Sequence, residues 1–134
     1  MSVLRTRLAS TSLSLAARRT LHTTAVRRDH FLDADAEAFK ARVLDAKSDK
    51  PVLVDFYADW CQPCRVLSPL LKGVTGPESN FDLMTVNVDE HGDLAGQFKV
   101  TALPTVVAFK NGEVKNKFVG FRGQADIEKF LGML

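Results

Sequence analysis

Long apolar runs are missing from this chain of 134 residues. No stretch approaches the roughly 20 consecutive apolar residues that a bilayer-spanning helix requires, so no transmembrane helix is expected. Cysteine is scarce as well. With Cys61 and Cys64 alone, a small scaffold stapled by several disulfides is excluded. Internal repeats, linkers and low-complexity tracts are absent after residue 28, which leaves one domain to account for that part. The composition, 46% hydrophobic and 25% charged, carries no bias toward disorder or a collagen-like fibre.

Acidic residues are absent from residues 1 to 28, a segment with six arginines and no lysine, hence a charge of +6. The other twelve basic and all sixteen acidic residues follow, giving −4 for residues 29 to 134. The basic balance of the whole chain therefore belongs to its first segment, and nucleic-acid binding by the folded part is disfavoured.

In that first segment Leu4, Leu8 and Leu15, with Ala or Thr between them, would line one apolar stripe if the segment were helical, flanked by Arg5, Arg7, Arg18 and Arg19. An Arg-rich, Ser-rich, acid-free amphipathic stretch meets the requirements of a mitochondrial presequence. A secretory signal fits less well, because Ser10, Thr11, Ser12 and Ser14 interrupt the apolar region it needs. Arg19-Thr20-Leu21-His22-Thr23-Thr24 resembles the pattern of two-step matrix processing, which puts the mature start near Asp29. Residues 1–28 are accordingly expected to be a targeting presequence and 29–134 a domain of the mitochondrial matrix. A disordered basic tail or a lipid-binding arm is the weaker alternative.

Further along, Asp33 and Asp35 are capping-type residues before Ala36, Phe39, Val43 and Ala46, whose spacing predicts an amphipathic helix ending by Ser48. Pro51 opens the run Val52-Leu53-Val54-Asp55-Phe56-Tyr57, apolar on both alternating faces apart from one carboxylate, as a central strand covered on both sides would be. A helix is expected from about Cys61 until Gly73, Gly76 and Pro77 end it, with Pro69 inside it as a structural kink. Residues 82 to 88 read as a strand and 92 to 98 as a short helix. Pro104 to Phe109 and Val114 to Val119 flank Asn111-Gly112, a dipeptide suited to the positive φ angles of a two-residue hairpin turn. Gln124 to Leu134 reads as a last helix with Ile127, Phe130 and Leu131 on one face. These elements imply an α/β fold, a central mixed sheet flanked by helices on both faces.

The separation of Cys61 and Cys64 closes too small a loop for a disulfide to stabilise folding much by chain entropy, so chemistry is the better explanation of the pair. A zinc site needs about two more ligands, and His30 and His91 lie in poorly matched places. If the helix begins at the first cysteine, Cys61 sits where unpaired N–H groups and the positive helix end favour a thiolate, which makes it the nucleophile. Cys64, one turn along and more enclosed, would be the resolving thiol that attacks the mixed disulfide. Pro63 suits the first turn because its missing N–H is not needed there.

The segments Val54-Asp55-Phe56-Tyr57-Ala58-Asp59-Trp60-Cys61-Gln62-Pro63-Cys64, Ala102-Leu103-Pro104-Thr105, Phe109-Lys-Asn-Gly112 and Phe118-Val-Gly120 together resemble the thioredoxin family, in order over residues 31 to 134. The resemblance implies the thioredoxin fold, with a redox-active Cys61–Cys64 disulfide and no bound cofactor. It implies a protein-disulfide reductase supplied with electrons from NADPH by a flavin-containing thioredoxin reductase. Peroxiredoxins and methionine sulfoxide reductases are among the clients it suggests, with no nucleic-acid partner and no membrane association after import. Asp55 corresponds to the family's buried carboxylate behind the resolving cysteine, and physical reasoning agrees, since an acid in an apolar strand is costly to ionise and becomes a useful proton acceptor for Cys64. Pro104 matches the family's cis-proline, beside which an extended substrate segment pairs. Trp60, Gln62, Pro63, Leu103 and Gly120 would border that contact.

Three positions depart from the family pattern. Gln62 replaces the usual Gly between the first cysteine and Pro63, which bears on potential and client preference. Tyr57 stands where many members have Trp. Thr85 takes the place of a Lys near the buried acid, so that charge partner is lost. Oxidases and isomerases share the same layout and differ in potential, from about −270 mV for a thioredoxin to roughly −120 mV for a strong oxidant. A binding module without catalysis is the alternative of another class, and intact Cys61, Cys64, Asp55 and Pro104 argue against it.

Overall fold

In chain order the elements are β1 (His30–Phe31), α1 (Ala36–Phe39) with a π-helical continuation (Lys40–Leu44), β2 (Val52–Tyr57), α2 (Gln62–Val74), β3 (Asp82–Asn87), α3 (Gly92–Gln97), β4 (Thr105–Lys110), β5 (Glu113–Val119) and α4 (Gln124–Leu131). The computed structural model describes residues 30–45 and 49–134. The arginine-rich first segment, the expected start at Asp29, and Ala46 and Ser48 of the first expected helix lie outside the described residues.

The strands form one mixed sheet in the order β1-β3-β2-β4-β5. The central strand β2 runs parallel to β3, with Asp55 beside Thr85, and antiparallel to β4, with Asp55 beside Val106. Its alternation explains the two-sided apolar run. Val52, Val54 and Phe56 join Phe39, Val43, Met84, Val86, Leu94 and Phe109 in one core. Leu53 joins Leu67, Leu71, Leu83, Val106, Ile127 and Phe130 in the other. α1 and α3 therefore cover one face and α2 and α4 the opposite one. Each fully buried side chain of this size contributes about 1.5–3 kcal/mol, so both layers are held mainly by burial. Asp55 lies on the same side of β2 as Leu53, and so under α2.

Short-range signals account for the element ends. Asp35 caps α1, its Oδ1 accepting from Ala38 N at 2.7 Å. Asp33, expected to share that role, instead adopts a positive φ of 52° and accepts a hydrogen bond from the Tyr57 hydroxyl. After Phe39 the helix widens, Asp45 N reaching Lys40 O at 2.9 Å, so one regular helix is not what the periodicity produced. Arg42 of this widened segment and Lys50, just before β2, both pair with the buried Asp82 at the start of β3, Lys50 at 2.7 Å. Asn111 and Gly112 turn the β4–β5 hairpin at φ 54° and 77°. The last helix stops at Leu131, short of the expected Leu134, with Gly132 as its cap.

Candidate active site

The first turn of α2 is built by its own sequence. Cys61 is its N-cap, extended at φ −81° and ψ 108°, and Cys64 N donates to Cys61 Sγ at 3.3 Å. Pro63, in the first turn, sacrifices no intrahelical hydrogen bond there. A disulfide joins Cys61 and Cys64, with their Cα atoms 5.3 Å apart. Both sulfur-bearing residues are buried, Cys64 at 1% exposure and Cys61 at 5%. When the pair is reduced, the unpaired amides of this turn and the helix dipole stabilise negative charge on Cys61.

Ala58, Tyr57, Val88 and Leu103 pack around the two cysteines. Leu103 precedes Pro104 through a cis peptide bond. Pro104 is buried, and its carbonyl accepts from Gly120 N at 2.8 Å, which fixes the β5 end beside this loop. Gly120 holds a φ of 86°, open to glycine at little cost. Trp60 projects outward at 68% exposure, with its indole N–H donating to Asp89 Oδ2 at 3.0 Å. Gln62 and Pro63 are exposed, and with Val66 and Phe121 they line an open apolar hollow of about 360 Å³. Of the residues singled out in the sequence, Cys61, Cys64 and Leu103 thus lie in one packed group. Trp60, Gln62 and Pro63 stand exposed on and beside the first turn, and Pro104 is bonded to Gly120.

Asp55 stands apart from that surface, fully buried on β2. Its Oδ2 accepts from Ser68 Oγ at 2.9 Å, whereas Oδ1 is buried with no hydrogen-bond partner among the described residues. Burial pushes its pKa up to about 6, while the Ser68 bond and the positive charge of Lys72 pull the other way. A carboxyl tuned to that value is still mostly ionised at neutral pH and accepts a proton readily. Thr85, beside it on β3, makes a different bond, accepting from Asp33 N at 2.8 Å. Thr85 carries no charge, and the cationic influence on Asp55 comes from Lys72 of α2, as the smallest of the three effects on its carboxyl.

Ser68 and Lys72 were not singled out from the sequence, yet a signal exists. They follow Cys64 at intervals of four residues, the repeat that keeps side chains on one helix face. Counting from Cys64 would have placed both near β2. Arg65 donates to Asp59 O from Nε at 3.0 Å and Nη2 at 2.7 Å, and so braces the loop before Cys61. Phe121 has no such signal, because its neighbourhood with Pro63 and Val66 exists only once α2 and the β5 end are brought together.

A family model described as Thioredoxin matches residues 30–133. The mitochondrial thioredoxin of Mus musculus is 43% identical over 117 residues, which cover 87% of this chain and 69% of that one. A thioredoxin of Rickettsia bellii is 42% identical over 85 residues, 63% of this chain and 79% of that one. Among solved structures, a mutant thioredoxin from Halobacterium salinarum superimposes with a TM-score of 0.68 at 28% identity, over 77% of this chain and 88% of the other. With the whole sheet, the capping cysteine pair and the cis-proline loop inside the matched span, the chain belongs to the thioredoxin family.

Proposed function

We propose that this thiol–disulfide oxidoreductase works as a protein-disulfide reductase of the mitochondrial matrix, with Cys61 as nucleophile, Cys64 as resolving thiol and Asp55 as the proton acceptor. The observation that carries the reading is the Cys61–Cys64 disulfide at the start of α2, with a buried carboxyl tied to the same helix. Cys61 thiolate attacks one sulfur of a client disulfide, and the other client sulfur leaves as a thiolate that takes a proton from water. Cys64 then gives its proton to Asp55 and attacks Cys61 Sγ. The second client sulfur departs and recovers that proton. Two electrons have passed to the client, and the Cys61–Cys64 disulfide remains.

Thioredoxin reductase, spending NADPH, would restore the dithiol, and no cofactor needs to reside in this chain. Trp60, Gln62, Pro63, Leu103, Pro104 and Gly120 would receive the client strand. Peroxiredoxins and methionine sulfoxide reductases are suitable clients. The mitochondrial relatives and the arginine-rich, acid-free residues 1–28 support import, with those residues as the presequence and 29–134 as the working domain.

The test is NADPH oxidation by the chain with thioredoxin reductase and insulin, beside a Cys61→Ser control. Consumption that vanishes in the control supports the reductase. No consumption by a folded protein overturns it in favour of an oxidase, an isomerase or a binding module. Fusing residues 1–28 to a fluorescent reporter tests import separately, and a reporter left in the cytosol overturns it.

A further inference from the structure

The two oxygens of Asp55 have unlike surroundings. Oδ2 accepts from Ser68 Oγ at 2.9 Å, and the buried Oδ1 has no hydrogen-bond partner among the described residues. Ser68 follows Cys64 by about one helical turn, so both side chains occupy the face of α2 turned to β2. Both also line a hollow of about 420 Å³, together with Tyr57, Ala58, Asp59 and Arg65. Ser68 is half-buried and spans from this hollow to the enclosed carboxyl.

We infer that Ser68 is a positioning residue for the resolving step: its hydroxyl fixes Asp55 through Oδ2 and leaves Oδ1 as the oxygen that takes the Cys64 proton. The inference rests on the proposed role of Asp55 as the base. A serine hydroxyl can donate to a carboxylate, and such a bond is stronger to the charged form than to the neutral acid. Ser68 therefore holds the carboxyl in one orientation and favours its ionised state, where a carboxyl pointing freely would present either oxygen or neither. The proton balance is closed within the site: it leaves Cys64 Sγ as that sulfur bonds Cys61, rests on Oδ1, and returns to the departing client thiolate.

Few charged groups compete for this task. Lys72 acts on Asp55 from α2. Asp59, Arg65 and Tyr57 stand around the hollow, with Arg65 held by the Asp59 carbonyl. β3 and β4 set Thr85 and Val106 beside Asp55, neither of them ionisable. α4 brings Ile127 and Phe130 to the same layer.

The full chain, as wild type, Ser68→Ala, Ser68→Thr and Asp55→Asn, is prereduced and mixed with insulin in single turnover. The carboxyl carbon shift of Asp55 is titrated by NMR in parallel. Alanine is a strong helix former, so Ser68→Ala keeps the fold. Its Asp55 midpoint is expected to move upward by about one pH unit, and its resolving rate at neutral pH to fall by about threefold to tenfold. Ser68→Thr, which keeps the hydroxyl, restores both. An unmoved midpoint, or a rate equal to the wild type, overturns the role of Ser68. Asp55→Asn resolving at the wild-type rate overturns the base itself, a failure distinguishable from the first because Ser68 is intact in that variant.

Discussion

Cys64 donates its backbone N–H to the sulfur of Cys61 across 3.3 Å, so the proposed resolving residue is also a hydrogen-bond donor to the proposed nucleophile. The bond requires Cys61 to stand at the N-cap, and that position places its sulfur at the positive end of α2. One local arrangement thus separates the roles of two chemically identical side chains. Cys61 receives stabilisation of negative charge, and Cys64, inside the helix and almost fully covered, does not.

In the reduced protein, Cys61 should therefore be alkylated by iodoacetamide about tenfold or more faster than Cys64 at neutral pH. Peptide mass spectrometry after brief exposure gives the ratio. Equal labelling, or faster labelling of Cys64, would remove the basis for assigning the nucleophile.

Asp55 makes stability depend on pH. Its folded pKa of about 6 stands above the ordinary 3.8 because burial penalises the charged form. A raised acid favours folding fully below the unfolded pKa, and that contribution is lost as pH rises through the folded one. The difference corresponds to about 3 kcal/mol above pH 7. Asp55→Asn should then exceed the wild type in urea resistance at about pH 8, by up to about 3 kcal/mol, with the gap closing toward pH 4. The same variant should turn over more slowly, and a destabilised but fully active Asp55→Asn would contradict both halves.

How much of this was legible from sequence depends on how local each signal is. β2 announced itself because both faces of the strand are buried, and the hairpin because Asn111 and Gly112 must both adopt positive φ. The Leu103–Pro104 loop rested on the resemblance to the thioredoxin family, while the cysteine pair and the carboxylate of Asp55 were legible in the same local way. β1 was not, since two residues paired with Leu83 and Met84 leave no periodicity to read. The widened turn after Phe39 escaped because Phe39 and Val43 remain four residues apart and both buried, whatever the hydrogen bonding between them. Asp33 looked like a cap until Tyr57, 24 residues away, provided its bond. Ser68 was legible only by counting one turn on from Cys64.

Gly112 gives a test of the hairpin reading. At φ 77° a side chain is strained, and a Cβ there would lie 3.0 Å from Leu44 O. Gly112→Ala should cost about 1–2 kcal/mol, seen as a fall in Tm of roughly 4–15 °C for a domain of this size. An unchanged Tm would mean that the turn relaxes away from the widened segment at no cost.

Trp60 separates recognition from folding. It is 68% exposed, and its indole N–H donates to Asp89 at the surface. Truncating so exposed a side chain should change stability by no more than about 0.5 kcal/mol. Its place directly before Cys61, the proposed nucleophile, should nevertheless make it a contact for protein clients. Trp60→Ala is therefore expected to lower kcat/KM for insulin by about tenfold, while reduction of a small aromatic disulfide falls much less. Comparison of the two substrates with one variant checks this. An equal loss on both would show that Trp60 acts on the chemistry of Cys61 instead, and unaltered rates on both would take it out of the client surface.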